Sequence, residues 1–243
     1  MDLRGKTAVV TGGGRRVGRA ISLELGAAGA NVVVHCRRSL AEAHATADAI
    51  RAAGAGAAVV NGDLSKSADV DRIADEAQAA FGGVDVLVNN ASTFFQTPIE
   101  TLTADVWEQV LAVNLKGPSL LSCRLGGAMR AGGGGVIITI ADWAALRPYR
   151  GYLPYCVSKA GIVALTTGLA KALAPEVRVN CVAPGPVLPP EDYSVAERER
   201  LMERTLLKRL GTAADVAHLV RFLVEADFCT GGVYLVDGGR LNA

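Results

Sequence analysis

The sequence predicts a single α/β domain over residues 1–243, a doubly wound parallel sheet of about seven strands flanked by helices. Three observations carry that expectation. Short β-branched runs alternate with longer helical patterns along the chain, a glycine-rich turn joins the first strand to the first helix, and half the residues are apolar while only 5% are aromatic. A core of Ala, Val, Leu and Ile suits helices laid on a parallel sheet, whose strands need helical crossovers.

In chain order the strand-like runs are TAVVT, NVVVHC, AAVVN, VDVLVNN, GVIITI, VRVNCVA and VYLVDGG. Arg16 to Ala28 and Leu40 to Ala53 read as helices between the first of them. Gly132 to Gly135 stand between a helix and GVIITI and read as a connecting loop. No repeat of solenoid period and no domain boundary interrupts the alternation. Pro184 to Leu210 is the exception. PGPVLPPEDY has neither period, and ERERLMERTLLKRL then resumes an amphipathic helical pattern. This segment is expected to cover the carboxyl end of the sheet as a lid; the alternative is a plain surface crossover.

The 25 basic and 24 acidic side chains leave a formal charge of +1, so no global field draws nucleic acid or an anionic membrane, and the expected partner is a small molecule. Cys36, Cys123, Cys156, Cys181 and Cys229 are odd in number and scattered, which argues against a disulfide framework or a zinc site. Each reads best as a small buried apolar residue in a reducing cytosol. The first residues lack signal-peptide character and no uninterrupted apolar stretch approaches membrane-spanning length, so a soluble cytoplasmic protein is expected.

TAVVT runs into Thr11-Gly12-Gly13-Gly14-Arg15-Arg16-Val17-Gly18, ahead of a helix. Glycines at such a turn let the backbone approach a pyrophosphate, and the helix N-terminus offers free N–H groups and partial positive charge, as in a Rossmann dinucleotide site. The second strand, containing His35, ends in Arg37-Arg38-Ser39, where an NAD-selective site usually presents an acid to the ribose hydroxyls. Arginine pairs with a 2'-phosphate through a charge-assisted fork, so NADP(H) is favoured over NAD(H). Asp63 and Leu64 after the third strand are placed for the adenine edge, or Asp63 caps the helix starting near Ser67. Asn89, Asn90 and Ala91 line the same crevice or form an ordinary Asx turn.

Tyr155 and Lys159 lie at i and i+4, neighbours on one helix face. A phenol with an ordinary pKa near ~10 holds its proton tightly, and an adjacent ammonium is expected to make it more acidic and fit for general acid work. That spacing is common by chance. Its weight comes from the order of the surrounding motifs.

TGGGRRVG, NNAS, Asn114, Tyr155 with Lys159, Pro184-Gly185 and the final VDGG resemble, in identity and order, the short-chain dehydrogenase/reductase family. The resemblance covers essentially the whole chain. It implies Tyr155 as general acid/base, Lys159 as its orienting partner and ribose ligand, Asn114 as holder of a relay water, and a cofactor site that includes Pro184 and Gly185. It also implies a homotetramer formed through the helices around Asp105 to Met129 and Tyr155 to Leu173.

Two departures point further. Arg16 replaces the family's usual glycine, and Asp142, thirteen residues before Tyr155, replaces its usual serine. Both resemble the pteridine reductases, as do HCRRS, NNASTFFQTP and Tyr152. The resemblance implies that Phe94 sandwiches a pterin against the nicotinamide, that Ser92 and Arg16 contact both cofactor and substrate, and that Tyr152 lines the pocket; Phe95 reads as a core aromatic. An ionised aspartate only accepts hydrogen bonds and repels an alkoxide, so a ketone reductase loses by the exchange, whereas C=N reduction gains a proton relay or an acceptor for an amino group. The expected activity is NADPH-dependent reduction of a dihydropterin or dihydrofolate, with Asp142, Tyr155, Lys159 and Asn114 as its catalytic set. The alternatives are a general carbonyl or 3-oxoacyl-thioester reductase and a non-catalytic NADP(H)-sensing protein.

Overall fold

A computed structural model describes residues 1–189 and 193–243. All seven predicted strands form: β1 (Thr7–Val10), β2 (Asn31–Cys36), β3 (Ala57–Asn61), β4 (Val86–Asn89), β5 (Gly135–Ile140), β6 (Val177–Pro184) and β7 (Val233–Val236). They lie parallel in the order β3-β2-β1-β4-β5-β6-β7. The chain winds outward from β1 to β3, then returns to place β4 on the other side of β1. That reversal opens a crevice at the strands' carboxyl ends.

The sheet has helices on both faces because its strands alternate side chains with a period of two. Ala8, Val10, Val32, Val34, Val86 and Val88 point to one face, under α1 (Arg16–Ala27), α2 (Leu40–Ala52) and α8 (Ala213–Glu225). Val9, Val33, Leu87, Ile137 and Val179 point to the other, under α3 (Ser67–Phe81), α5 (Gly117–Ala131) and α6 (Leu153–Leu173). A short α4 (Ala104–Leu111) runs through a π-helical turn, Ala112–Lys116, into α5. α3 stops where Gly82 takes φ +80°, a left-handed exit that L side chains resist.

Three sequence expectations are corrected here. α6 is 21 residues long and apolar enough by length and composition to cross a membrane, but it buries Tyr155, Ser158, Lys159 and Thr166 against the sheet side of the fold and is a core helix. The helix expected in ERERLMERTLLKRL forms only as α7 (Val195–Glu203). It ends because Thr205 is fully buried and turns its hydroxyl onto Met202 O and Arg209 O, while Leu207 N reaches Gly238 O. Cys36, Cys156 and Cys181 are buried as expected, but Cys123 is exposed on α5 and Cys229 partly so. Pro190, Glu191 and Asp192, in the middle of the expected lid, lie outside the described residues.

Candidate active site

A cavity of about 840 Å³ occupies the crevice at the carboxyl ends of the strands. Its cofactor side begins at Gly12, which turns at φ +63°. A Cβ on Gly18 would sit 2.1 Å from Gly12 O, so only glycine lets α1 start this close to the turn. No side chain caps the N-terminus of α1 and its first turn holds no acid, whereas α7 and α8 are closed by capping boxes. Free N–H groups at the cavity floor suit an anion such as a pyrophosphate.

His35 braces the glycine turn from below. It accepts from Gly12 N at 3.3 Å through Nδ1, and Nε2–H donates to Gly62 O at 3.1 Å, which fixes the neutral tautomer. Burial holds its pKa down at about 4. The unfolded histidine protonates near 6.5, so stability is present above that pH and is lost as pH falls from 6.5 to 4, by about 3 kcal/mol in all. Urea melts of ligand-free protein at pH 7 and 5 should show this slope, and His35→Asn should flatten it; a variant with the wild-type slope would refute the assignment.

Asn90 ties the same turn to β4. Its amide donates to Thr11 O at 2.8 Å, while Thr11 Oγ1 accepts from Asn90 N at 2.9 Å and Ala91 N at 3.0 Å. Asp63 does not cap α3, whose start has no side-chain cap. It accepts from Ser65 N and Oγ and lies 3.7 Å from the guanidinium of Arg37. Arg15 faces Glu42 at 3.8 Å. The basic turns around the cofactor side therefore carry acids within reach of Arg15 and Arg37. Arg37, Ser39 and Leu64 line the cavity, but Arg38 does not.

Arg16 begins α1 at φ +50°, a left-handed position that costs an L residue roughly 1–3 kcal/mol. The strained backbone aims its guanidinium across the cavity, where it donates to Leu188 O. The opposite wall is thus the segment after β6, with Pro184 to Pro189, Tyr193, Leu201 and Arg204 facing inward as expected of a cover. Gly185 admits the close approach of the residue just after β7, since a Cβ there would lie 2.6 Å from Asp237 Cα.

The reactive centre lies where α6 meets the end of β5. Tyr155 Oη donates to Asp142 Oδ2 at 2.8 Å, and Ala144 N donates to Asp142 Oδ1 at 2.7 Å. Asp142 therefore caps the short turn Trp143–Ala145 and meets the phenol at once. Burial pushes the Asp142 carboxyl above the usual carboxylate range despite these donors and nearby Lys159. The expectation that Lys159 makes Tyr155 more acidic is corrected. Burial first, and Asp142 second, push the Tyr155 pKa well above its ordinary value. Lys159 instead donates to Ile140 O at 2.9 Å, with its Nζ 5.6 Å from the Tyr155 ring centroid, and burial lowers its own pKa to about 8. The centre is a phenol hydrogen-bonded to the Asp142 carboxyl, with Lys159 behind both.

Asn114 lies in the π-helical turn and is buried beneath the cavity without lining it. Its Oδ1 accepts from Thr93 N at 2.8 Å, and its Nδ2 donates to Thr93 O at 3.0 Å and Ser158 Oγ at 3.3 Å. Its side chain locks the Ser92–Phe94 stretch of loop to α6. Phe94 remains 48% exposed and stacks on Tyr152 at 4.5 Å and 7°, with its edge contact to Tyr155 at 4.8 Å. Phe95, half-buried, packs against the small cluster of Val110, Ala144, Tyr155 and Cys156 and does not line the cavity. Sequence reasoning missed Trp143, Tyr149, Arg204 and Arg240, all of which line the cavity. The first two carried a signal, aromatic residues flanking Asp142 in a chain poor in them; the arginines carried none.

The chain belongs to the short chain dehydrogenase family, whose pattern it matches over residues 6–200. It is an oxidoreductase of that family. It is 36% identical to the 3beta-hydroxysteroid dehydrogenase 1 of Eggerthella lenta, covering 98% of this chain and 94% of that protein. It is 32% identical to the 3-oxoacyl-acyl-carrier-protein reductase FabG of Staphylococcus epidermidis, covering 96% and 98%. Among solved structures, FolM alternative dihydrofolate reductase 1 from Brucella canis, complexed with NADP, superposes with a TM-score of 0.93 at 34% identity over 100% of this chain and 96% of that one.

Proposed function

We propose that this protein is an NADPH-dependent reductase of dihydropterin- and dihydrofolate-type substrates. The observation that carries the reading is the 2.8 Å hydrogen bond from Tyr155 to Asp142. A carbonyl reductase needs donors around the developing alkoxide, and here an acceptor occupies that place. FolM, similar in fold and sequence, carries a dihydrofolate reductase name and binds NADP.

The uncapped α1 terminus and Gly12 would hold the pyrophosphate, and Arg37 with Ser39 and Arg15 the 2'-phosphate. When bound, NADPH supplies the hydride that adds to the carbon of the substrate's C=N bond. Tyr155 gives its Oη proton to the ring nitrogen. A phenol of raised pKa suffices because that nitrogen becomes strongly basic as hydride arrives, and until then the proton stays on oxygen. Each Asp142 oxygen has one donor and keeps another lone pair, able to accept from a pterin amino group. Lys159 offsets the buried carboxylate, Phe94 supplies a flat face for the heterocycle, and Ser92, Tyr152 and Arg16 border it.

A panel of dihydrobiopterin, dihydrofolate, acetoacetyl thioester and simple ketones with purified protein and NADPH tests the reading. Pterins should be consumed fastest; faster turnover of the thioester or ketones would overturn it, and no turnover with intact NADPH binding would favour a sensor. Arg37→Ala should raise the KM for NADPH about 10–100-fold and leave NADH nearly untouched, the loss of one charge-assisted fork. An unchanged preference would remove Arg37 from the phosphate site.

The same reading includes a homotetramer. Leu120 on α5 and Leu153 and Val157 on α6 are 40–43% exposed, an apolar face suited to a second copy. A light-scattering mass near one subunit would refute this.

A further inference from the structure

The cavity wall carries two arginines that form no ion pair among the described residues. Arg204 closes α7, and Arg240 opens the short turn Arg240–Asn242; both line the cavity. Among the described residues neither takes part in an ion pair. The acid nearest in sequence to Arg240, Asp237, is engaged by backbone: Oδ1 accepts from Gly239 N and Oδ2 from Leu241 N, each at 2.8 Å. Those bonds build the turn that presents Arg240. Burial first, and the nearby charges of Arg204 and Arg147 second, depress the Arg240 pKa, with Asp237 opposing them. Arg147 itself is tied to the backbone oxygens of Leu241 and Ala243.

A continuous run of rings joins this pair to the reactive phenol. Tyr155 meets Phe94 at 4.8 Å, Phe94 meets Tyr152 at 4.5 Å, Tyr152 meets Tyr149 at 5.4 Å and Tyr149 meets Trp143 at 5.5 Å. The Arg240 guanidinium lies 4.5 Å over the Trp143 ring. The wall thus offers a slot for a heterocycle at the phenol, aromatic surface beyond it, and positive charge at the far end. Stacking holds the Arg240 fork in a fixed plane, ready for a carboxylate.

We propose that Arg204 and Arg240 form an anion subsite for the acidic tail of a conjugated substrate. The favoured substrate is then a dihydrofolate-type molecule, a reduced heterocycle carrying an aryl amide and carboxylates, over an unconjugated dihydropterin. The assignment rests on the pterin reading above and sharpens it.

Steady-state reduction of dihydrofolate, dihydropteroate and dihydrobiopterin tests it, because dihydropteroate keeps the aryl group but ends in one benzoate carboxylate, without the glutamate's amide and two carboxylates, and dihydrobiopterin has no carboxylate. The wild type should favour dihydrofolate over dihydropteroate by about tenfold in kcat/KM. Arg204→Ala combined with Arg240→Ala should erase that ratio, chiefly through the KM for dihydrofolate, and Arg204→Lys should keep part of it. Should loss of Arg240 unsettle the fold, Arg204→Glu, at an exposed helix end, reads the same ratio. Equal ratios in the wild type and the double variant, with pterins still reduced, would overturn the subsite and leave the pterin reading standing. Reduction of acetoacetyl-CoA with none of the three pterins touched would overturn both, and would assign the arginines to a phosphate instead.

Discussion

Tyr155→Phe is expected to lower kcat for dihydropterin reduction by about 10²–10⁴-fold, the usual contribution of a positioned general acid, with KM little changed. The ring would still pack with Val110, Ala144 and Cys156, so the fold should persist. What disappears is the proton and the donor to Asp142 Oδ2. The carboxylate is then left with Ala144 N as its remaining hydrogen-bond donor, which costs about 1–3 kcal/mol while it is ionised. Because the folded pKa of Asp142 is already raised, the wild-type carboxyl protonates earlier in the folded state than in the unfolded one as pH falls. Its burial penalty is absent below the unfolded pKa and is felt in full only above the folded one. The variant's destabilisation should therefore shrink toward acid pH. Single-turnover kinetics and melts at two pH values measure both effects. Wild-type kcat in the variant would remove Tyr155 from the chemistry.

The second large effect is a change of substrate class. Asp142→Ser replaces an acceptor that repels an alkoxide with a hydroxyl that donates to one, about 3 Å from the phenol. Turnover of dihydropterin should drop by roughly 10²-fold, and turnover of an acetoacetyl thioester or small ketone should rise by about tenfold or more, a combined shift on the order of 4 kcal/mol in relative barrier. Measuring kcat/KM for both substrates in both proteins decides the matter. Parallel loss on the two substrates would show that Asp142 serves the fold through its cap on Trp143–Ala145 and not the choice of substrate.

Much of this was legible in the residues. β2, β3 and β5 match their sequence runs, and α1 and α2 end within one residue of the expected points, because period-two and period-3.6 patterns are imposed by burial on one face of each element. The Tyr155/Asp142 pairing followed from family likeness, and the hydrogen bond bears out their adjacency. Arg37 and Arg38 looked equivalent, yet only one faces the cavity. Nothing in the local pattern distinguished them, since which neighbour faces inward depends on where the strand ends.

The sequence by itself determined the winding of the sheet, the crevice, the uncapped helix at its floor and the residue types gathered at the end of β5. Only the tertiary structure decided how those groups share their charges and hydrogen bonds. Lys159 turned to Ile140 O, Asn114 bonded to Thr93, and Arg240 stacked over Trp143. The reason is physical: periodicity reports which side of an element is buried, whereas a hydrogen bond or a pKa depends on partners that chain closure brings within about 3 Å, and on the water it removes.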